Sequence, residues 1–210
     1  MDKEIILTPE QLYFIGRFVQ AKYIDYAYVA ALKDINQNFS LFETEAKASL
    51  VSAGILTEDF GGNVEVDPTV LKLLKPIFFG ETETAIDICT IDKEKTITAY
   101  KYHFYDGTVT MVTGESGKLL IKAADQFAIQ KTVESLISDT YDAEIQTVET
   151  IDKDHITRVI TFKHIQVGVT STVKIYIEAN HIFYHEQEGS IESVTKSQFI
   201  TEAFDLVKGV

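Results

Sequence analysis

The stretch TIDKEKTIT, from Thr90 to Thr98, is followed sixty residues later by TIDKDHIT, from Thr150 to Thr157. Each copy is preceded by Glu and a β-type run and followed by a strand that begins Ile-Thr. Each half later reaches a glycine before a short strand, Gly117-Lys118-Leu119 and Gly189-Ser190-Ile191. Each ends with Gln-Phe opening a helix, at Gln126-Phe127 and Gln198-Phe199. The spacing from that glycine to Gln-Phe is equal in the two, and the second half is longer by about one hairpin. Asp-Lys is also a common turn word, so shared turn vocabulary is the competing explanation. The agreement of order, element type and identity favours a degenerate duplication of a meander–helix unit.

The strands around these words are read from period-two alternation and β-branched or aromatic enrichment. ETAIDICTI, KTITAYKYHFY, TVTMVTG and KLLIKAA form a four-stranded antiparallel meander, broken at Asp-Lys, at Asp106-Gly107 and at Glu-Ser-Gly. A helix follows over 125–136. EIQTVETI, HITRVITFKHI, STVKIYIEA, HIFYHEQ and SIESVT repeat the pattern, and a closing helix covers 198–207. Joined edge to edge, the two meanders predict one broad sheet with hidden inner edges, covered by helices on one face.

The segment before them is helical. Thr8-Pro9-Glu10-Gln11 is a capping box with proline at the first helical position. Leu12, Ile15, Phe18 and Val19 continue at helical spacing. Further helices are predicted over 23–33 and over 40–53, the latter with Ser40 as cap and Gly54 as stop. AGILTEDFGGNVEVDP predicts a hairpin around Gly61-Gly62, and a helix with Val70, Leu71, Leu73 and Leu74 follows Asp67-Pro68. The fold class is α+β: a winged-helix-like segment at 1–80, a first meander plus helix at 81–140 and a second at 141–210.

Bulk properties narrow the function. The 210 residues carry a net charge of −13 with 45% hydrophobic content. A basic footprint for nucleic acid or an anionic membrane is missing. The helix over 40–53 carries Glu43, Glu45 and only Lys47, which opposes DNA binding despite the winged-helix pattern. One cysteine, Cys89, excludes an internal disulfide and fits a small buried side chain in a strand of a protein from a reducing compartment. No apolar run reaches the roughly 20 residues of a membrane span, and MDKEIILTPEQL is not a signal peptide. The expectation is a cytoplasmic protein without membrane insertion.

Catalytic signatures are absent from the sequence: there is no nucleophile elbow, P-loop or dinucleotide-binding glycine motif. His181 and His185 sit four apart in one strand, roughly 13 Å at about 3.3 Å per residue, too far to share a metal. His103, His155 and His164 are scattered. No enzyme activity, metal or cofactor is expected. The candidate contact residues are aromatic. Tyr100, Tyr102 and Phe104 share one strand face, with Tyr105 and Asp106 at the following turn, and Phe183 and Tyr184 beside Ile182 are their counterparts in the second half. Such side chains anchor interfaces when exposed and form the sheet core when not. The opposite face, Ala99, Lys101 and His103, reads as more solvated.

Leu7-Thr8-Pro9-Glu10-Gln11-Leu12, Ala53-Gly54-Ile55-Leu56, Val66-Asp67-Pro68 and the two TIDK-to-QF halves together form a pattern over nearly the whole chain. This pattern resembles the EspG-type cytosolic chaperones of type VII (ESX, WXG100) secretion systems, and looks closest to the shorter EsaE/EssE-like proteins of Firmicutes. The resemblance implies an adaptor that binds a secreted protein substrate, in some systems a toxin, and helps deliver it to the membrane ATPase. It carries no contact motif that aligns residue by residue. A second functional class fits the same composition: an immunity protein that blocks a toxin catalytic domain through an acidic surface.

Overall fold

The computed structural model describes residues 4–30, 32, 39–90, 95–140, 147–148, 153–166, 169–178, 181–186 and 191–208. Strand β1 (Glu4–Leu7) leads into helix α1 (Pro9–Phe18). The capping box is formed: the Gln11 amide donates to Thr8 Oγ1 at 3.3 Å, and the Thr8 amide donates to Gln11 Oε1 at 2.8 Å. Pro9 has no N–H, so two of the three orphan amides of the first turn are thereby satisfied. Leu12 and Ile15 are fully buried, whereas Phe18 stays on the surface.

The helix predicted over 23–33 is reduced to α2 (Tyr26–Val29), started by Asp25, whose carboxylate accepts from the Ala27 amide. Residues 31 and 33 lie outside the described residues. The preceding backbone is engaged elsewhere. The Lys22 amide bonds to the Phe78 carbonyl at 3.0 Å, and the Tyr23 hydroxyl donates to the Gly80 carbonyl. Backbone amides tied to another element are not available for a helical ladder.

Helix α3 (Phe39–Ser52) starts one residue before Ser40, so Ser40 is inside the helix and does not cap it. Gly54, at φ +68°, ends it in the left-handed conformation glycine tolerates. The hairpin β2 (Leu56–Glu58) and β3 (Val64–Val66) forms where predicted, and α4 (Pro68–Phe79) follows, capped by Asp67. Then come β4 (Thr82–Thr90), β5 (Lys95–Tyr105), β6 (Thr108–Glu115), β7 (Lys118–Ala124) and helix α5 (Gln126–Leu136). The second half holds β8 (Thr147–Val148), a short helical turn, β9 (Ile156–Gln166), β10 (Val169–Glu178), β11 (His181–Glu186), β12 (Ile191–Ser193) and α6 (Lys196–Lys208).

The chain divides into two compact units, residues 1–80 with 103–123, and 81–102 with 124–210. The first contains the helical segment and the strand order β1-β7-β6-β5. Its core joins Leu12 and Ile15 of α1, Leu50 of α3, Leu74, Ile77 and Phe78 of α4, and Val112 and Ile121 of the strands. The second contains the order β5-β4-β9-β10-β11-β12-β8 and both later helices. There Phe162 of β9 meets Phe199 of α6 edge-on at 5.9 Å, beside buried Ile160, Ile175 and Ile177. Strand β5 contributes to both units.

The strand order carries the duplication. Outward from the β4–β9 pair, one side reads β4-β5-β6-β7-β1 and the other β9-β10-β11-β12-β8. Nine residues of β4 pair with nine of β9, antiparallel, from Thr82↔Gln166 to Thr90↔Arg158. The large antiparallel sheet with two meander–helix halves is therefore present, but its two halves correspond in a different register from the words that suggested them. Thr90 ends β4, whereas Lys153 precedes β9; Ile91 to Lys93 and Thr150 to Asp152 lie outside the described residues. The two TIDK copies stand on opposite sides of equivalent strands. Gln-Phe is also displaced. Asp125 caps α5 and Thr195 caps α6, so the buried pair Ile129 and Val133 matches Phe199 and Ala203, each four and eight positions past its cap. Phe127 is 65% exposed and Phe199 is 1% exposed.

Candidate protein-binding surface

Strand β5 carries the predicted aromatic contacts, and its alternation puts Tyr100, Tyr102 and Phe104 on one side. Tyr102 is completely buried, next to Thr132 of α5, and burial pushes its hydroxyl up to about 12. It is a core residue and cannot touch a partner in this state. Tyr100 and Phe104 are half-buried. The expectation that the other face is solvated fails. His103 is fully buried, its Nε2 2.6 Å from the Tyr28 hydroxyl of α2, and Lys101 lies 3.6 Å from Glu83 with both side chains largely covered. Residues of helices reach both faces of this strand, Thr132 of α5 at Tyr102 and Tyr28 of α2 at His103, so the expected cover of helices on one face only does not hold at β5. Sequence alternation alone does not register that.

The β5–β6 turn is where the strand surfaces. Asp106 at φ 46° and Gly107 at φ 68° form a two-residue hairpin turn with both centres left-handed. The Thr108 hydroxyl donates to the Tyr105 carbonyl at 2.5 Å and stiffens it. Tyr105 is 39% exposed, packs against Phe79 at 6.2 Å, and stands beside the exposed Asp106. Phe183 and Tyr184 lie on β11, opposite Tyr176 and Ile175 of β10; their side chains are outside those described.

Asp87, Asp139 and His164 of the second unit are tied into structure. Asp87 is buried between the Thr98 hydroxyl and Lys163 Nζ, each at 2.6 Å. Asp139 is held below the usual carboxylate range by the hydrogen bond from Arg158, at 2.8 Å. His164, paired across β4–β9 with Thr84, has its imidazole held below its ordinary value by burial, with Nδ1 3.0 Å from the Thr84 hydroxyl. Asp87 and His164 thus bridge neighbouring strands, and Asp139 ties the segment after α5 to β9. Among the described residues no three His, Cys, Asp or Glu side chains are grouped to hold a metal. No described helix is long and apolar enough to cross a membrane.

A groove in the first unit was not anticipated. It holds about 450 Å³ and is lined by Phe14, Arg17 and Phe18 of α1, by Ser40, Glu43, Thr44 and Lys47 of α3, and by Val64 of β3. Its lining on α3 follows the i, i+3, i+4, i+7 spacing of one helix face, so the pattern is legible once α3 is known to face α1. The adjoining β2–β3 turn presents Phe60 fully to solvent. An aromatic residue directly before Gly61-Gly62 was the available signal.

No protein-family profile matches this chain, and no curated protein sequence matches it. Its three-dimensional structure is similar to that of EspG5, the type VII secretion system chaperone of Mycobacterium tuberculosis, solved in complex with a PE25–PPE41 dimer. The TM-score is 0.63 at 8% identity, over 98% of this chain and 96% of that one. A likeness at this identity is one of fold, and it runs from end to end: this chain has an EspG-like fold.

Proposed function

We propose that this chain is a cytoplasmic adaptor that binds a secreted protein substrate of a type VII system and hands it to the membrane ATPase. The observation that carries the reading is the end-to-end likeness to a secretion chaperone solved in complex with a PE25–PPE41 dimer. Fold alone does not assign function. The reading gains support from exposed aromatic groups on stiff turns and a net charge of −13, suited to docking and to electrostatic steering of a basic partner. The finer placement in the Firmicutes EsaE/EssE-like branch rests on the sequence pattern alone. The contact residues proposed on the sheet are Tyr105 and Asp106 at the β5–β6 turn with Tyr100 and Phe104 of the same strand and, as a separate patch, Phe183 and Tyr184 of β11. Residues 1–80 then serve as the helical module, apart from β1, which joins the sheet beside β7, and 81–140 and 141–210 as the two halves that supply the other strands of that sheet.

The test is affinity capture of the tagged chain from the cytosol of its own organism, followed by reconstitution with the purified protein recovered. Recovery of a WXG100- or LXG-type secreted protein that binds one-to-one and keeps its activity is the expected result. Recovery of a toxin whose catalytic domain is inhibited would overturn the adaptor reading in favour of immunity. A protein that binds nothing secreted would leave the fold without this function.

A further inference from the structure

Exposed apolar side chains of the first unit gather around the groove between α1 and α3. Phe14 and Phe18 stack at 6.4 Å on its α1 wall. Phe18 is 44% exposed, and Leu41, one helical turn before Thr44 of the α3 wall, is 50% exposed. Val64 of β3 completes the apolar lining, and Phe60, fully exposed, tops the same hairpin. Single exposed apolar residues are ordinary on a surface, whereas several around one concave strip mark a docking site. The backbone of both helical walls is spent in its own ladders. An extended segment laid there would leave its amides and carbonyls unpaired against apolar groups. A helix satisfies its backbone internally and offers only side chains, so it is the form of chain this groove accepts.

The charges select the kind of helix. On the groove walls each charge is answered within the chain. Arg17 lies 3.5 Å from Glu43 with its guanidinium 4.4 Å over the Phe39 ring, and Lys47 lies 2.7 Å from Glu58. The walls are thus close to neutral and call for an apolar stripe. The hairpin differs. From Glu58 to Asp67 it carries no Lys or Arg, and neither Asp59 nor Glu65 forms an ion pair among the described residues. Asp59 accepts hydrogen bonds from the Gly61 amide, the Asn63 amide and Asn63 Nδ2, each at 2.8 Å. The bonds from Asn63 hold its carboxyl below the ordinary range, so it stays ionised beside Phe60. Glu65 follows Val64 on the outer face of the ribbon. Its charge reaches an occupant of the groove within the screening length of about 8–10 Å. Two unanswered acids therefore stand at one edge of an apolar, neutral strip.

We infer that the α1–α3 groove and the β2–β3 tip form a docking site for a basic amphipathic helix of another protein. Its apolar stripe lies against Phe14, Phe18 and Val64, its Lys or Arg flank faces Asp59 and Glu65, and Phe60 packs along its side. The turn that carries Phe60 is already stiff, so this ring loses little freedom on docking. An acidic helix would meet repulsion at the hairpin and from a chain of net charge −13. The inference concerns a surface and the chemistry it recognises, and it holds whether or not the partner is secreted.

The experiment is an anisotropy titration of dye-labelled synthetic helices with the purified full chain. One probe has a Leu stripe at helical spacing and a Lys flank. A second has the same stripe and a Glu flank, and a third keeps the Lys flank with Gln in place of every Leu. The Leu–Lys helix should bind with a dissociation constant on the order of 10–100 µM, and the other two at least about 10-fold more weakly. Phe18→Ser in the groove should weaken the Leu–Lys helix at least about 10-fold, and Phe60→Ala about 3–10-fold. Glu65→Lys should weaken it about 3-fold or more and strengthen the Leu–Glu helix. Glu134→Lys, the same change of charge on the exposed side of α5, should alter neither. Far-UV circular dichroism checks that each variant keeps its fold. A Gln–Lys helix that binds as tightly as the Leu–Lys one, or Phe18→Ser and Phe60→Ala variants of wild-type affinity, would reveal bulk attraction of cations and overturn the inference. Absence of binding by all three probes would overturn it equally. None of the probes is a client, so that failure would leave the adaptor reading untouched.

Discussion

Replacing Gly80 by alanine probes the junction of α4 and β4 directly. Gly80 has φ −67°, so its conformation is open to any residue, and what forbids a side chain is space. A Cβ there would stand 2.4 Å from the Phe104 carbonyl oxygen and 2.4 Å from the Pro76 carbonyl oxygen. Real Cβ contacts stay above 3.0 Å, so both gaps are at least 0.6 Å too short (3.0 − 2.4). Both obstacles are backbone, fixed in β5 and at the end of α4, and cannot rotate aside. Overpacking of this kind costs about 3 kcal/mol. Two glycine controls separate the causes. Gly54→Ala has open space but φ +68°, and should cost about 1 kcal/mol. Gly114→Ala meets nothing within 4 Å at an ordinary φ, and should change stability by less than about 0.5 kcal/mol. Urea unfolding is followed by far-UV circular dichroism and by the ten tyrosines, since the chain has no tryptophan. With a slope of about 2.5 kcal/mol per M, Gly80→Ala should lower the midpoint by about 1.2 M. If the two units unfold separately, the transition of the first should move. A Gly80→Ala midpoint within the error of the Gly114→Ala control would refute the steric argument.

Phe199→Ala removes the buried partner of Phe162 and should destabilise the second unit by about 3–4 kcal/mol, seen as an early urea transition, while Phe127→Ala at the misaligned counterpart should cost under about 1 kcal/mol. His164, held below its unfolded value of 6.5 by burial, contributes stability that is present above pH 6.5 and is lost as pH falls toward its lower folded value. The melting temperature should therefore fall between pH 7 and pH 5, and His164→Gln should make that slope shallower; an unchanged slope would place the loss elsewhere. Tyr105→Ala should weaken client binding about 10-fold or more, measured by calorimetry, without lowering the urea midpoint by more than about 0.5 M, as suits a half-exposed interface anchor.

The elements of this fold were mostly legible because their signals are local. The Thr8 box, Asp67-Pro68, Asp106-Gly107 and Gly54 each dictate a start, turn or stop through a few neighbouring atoms. The duplication was legible in kind and misread in register. TIDK and Gln-Phe are words for a turn and a helix start, and their chemistry suits either side of a strand or either of two cap positions. The strand order and the burial at four and eight residues past each cap fix the correspondence, and neither is a local quantity. The faces of β5 were misjudged for the same reason. Whether His103 is wet or dry depends on Tyr28, distant in sequence, whose hydroxyl lies 2.6 Å away. The groove was invisible because it requires α1 and α3 to meet.

The nine-residue β4–β9 ladder has a consequence for how the protein is made. While ribosomes are still synthesising the second half, β4 has already emerged, and its outer backbone has no partner. ETAIDICT is β-prone and uncharged at most positions, the kind of naked edge that recruits stray strands. It stays naked until Ile156–Gln166 leaves the exit tunnel, at least 66 residues after Thr90 (156 − 90), several seconds at about 5–20 residues per second. A message truncated between the halves would therefore yield a nascent chain prone to clumping, and slowing translation there should raise the insoluble fraction.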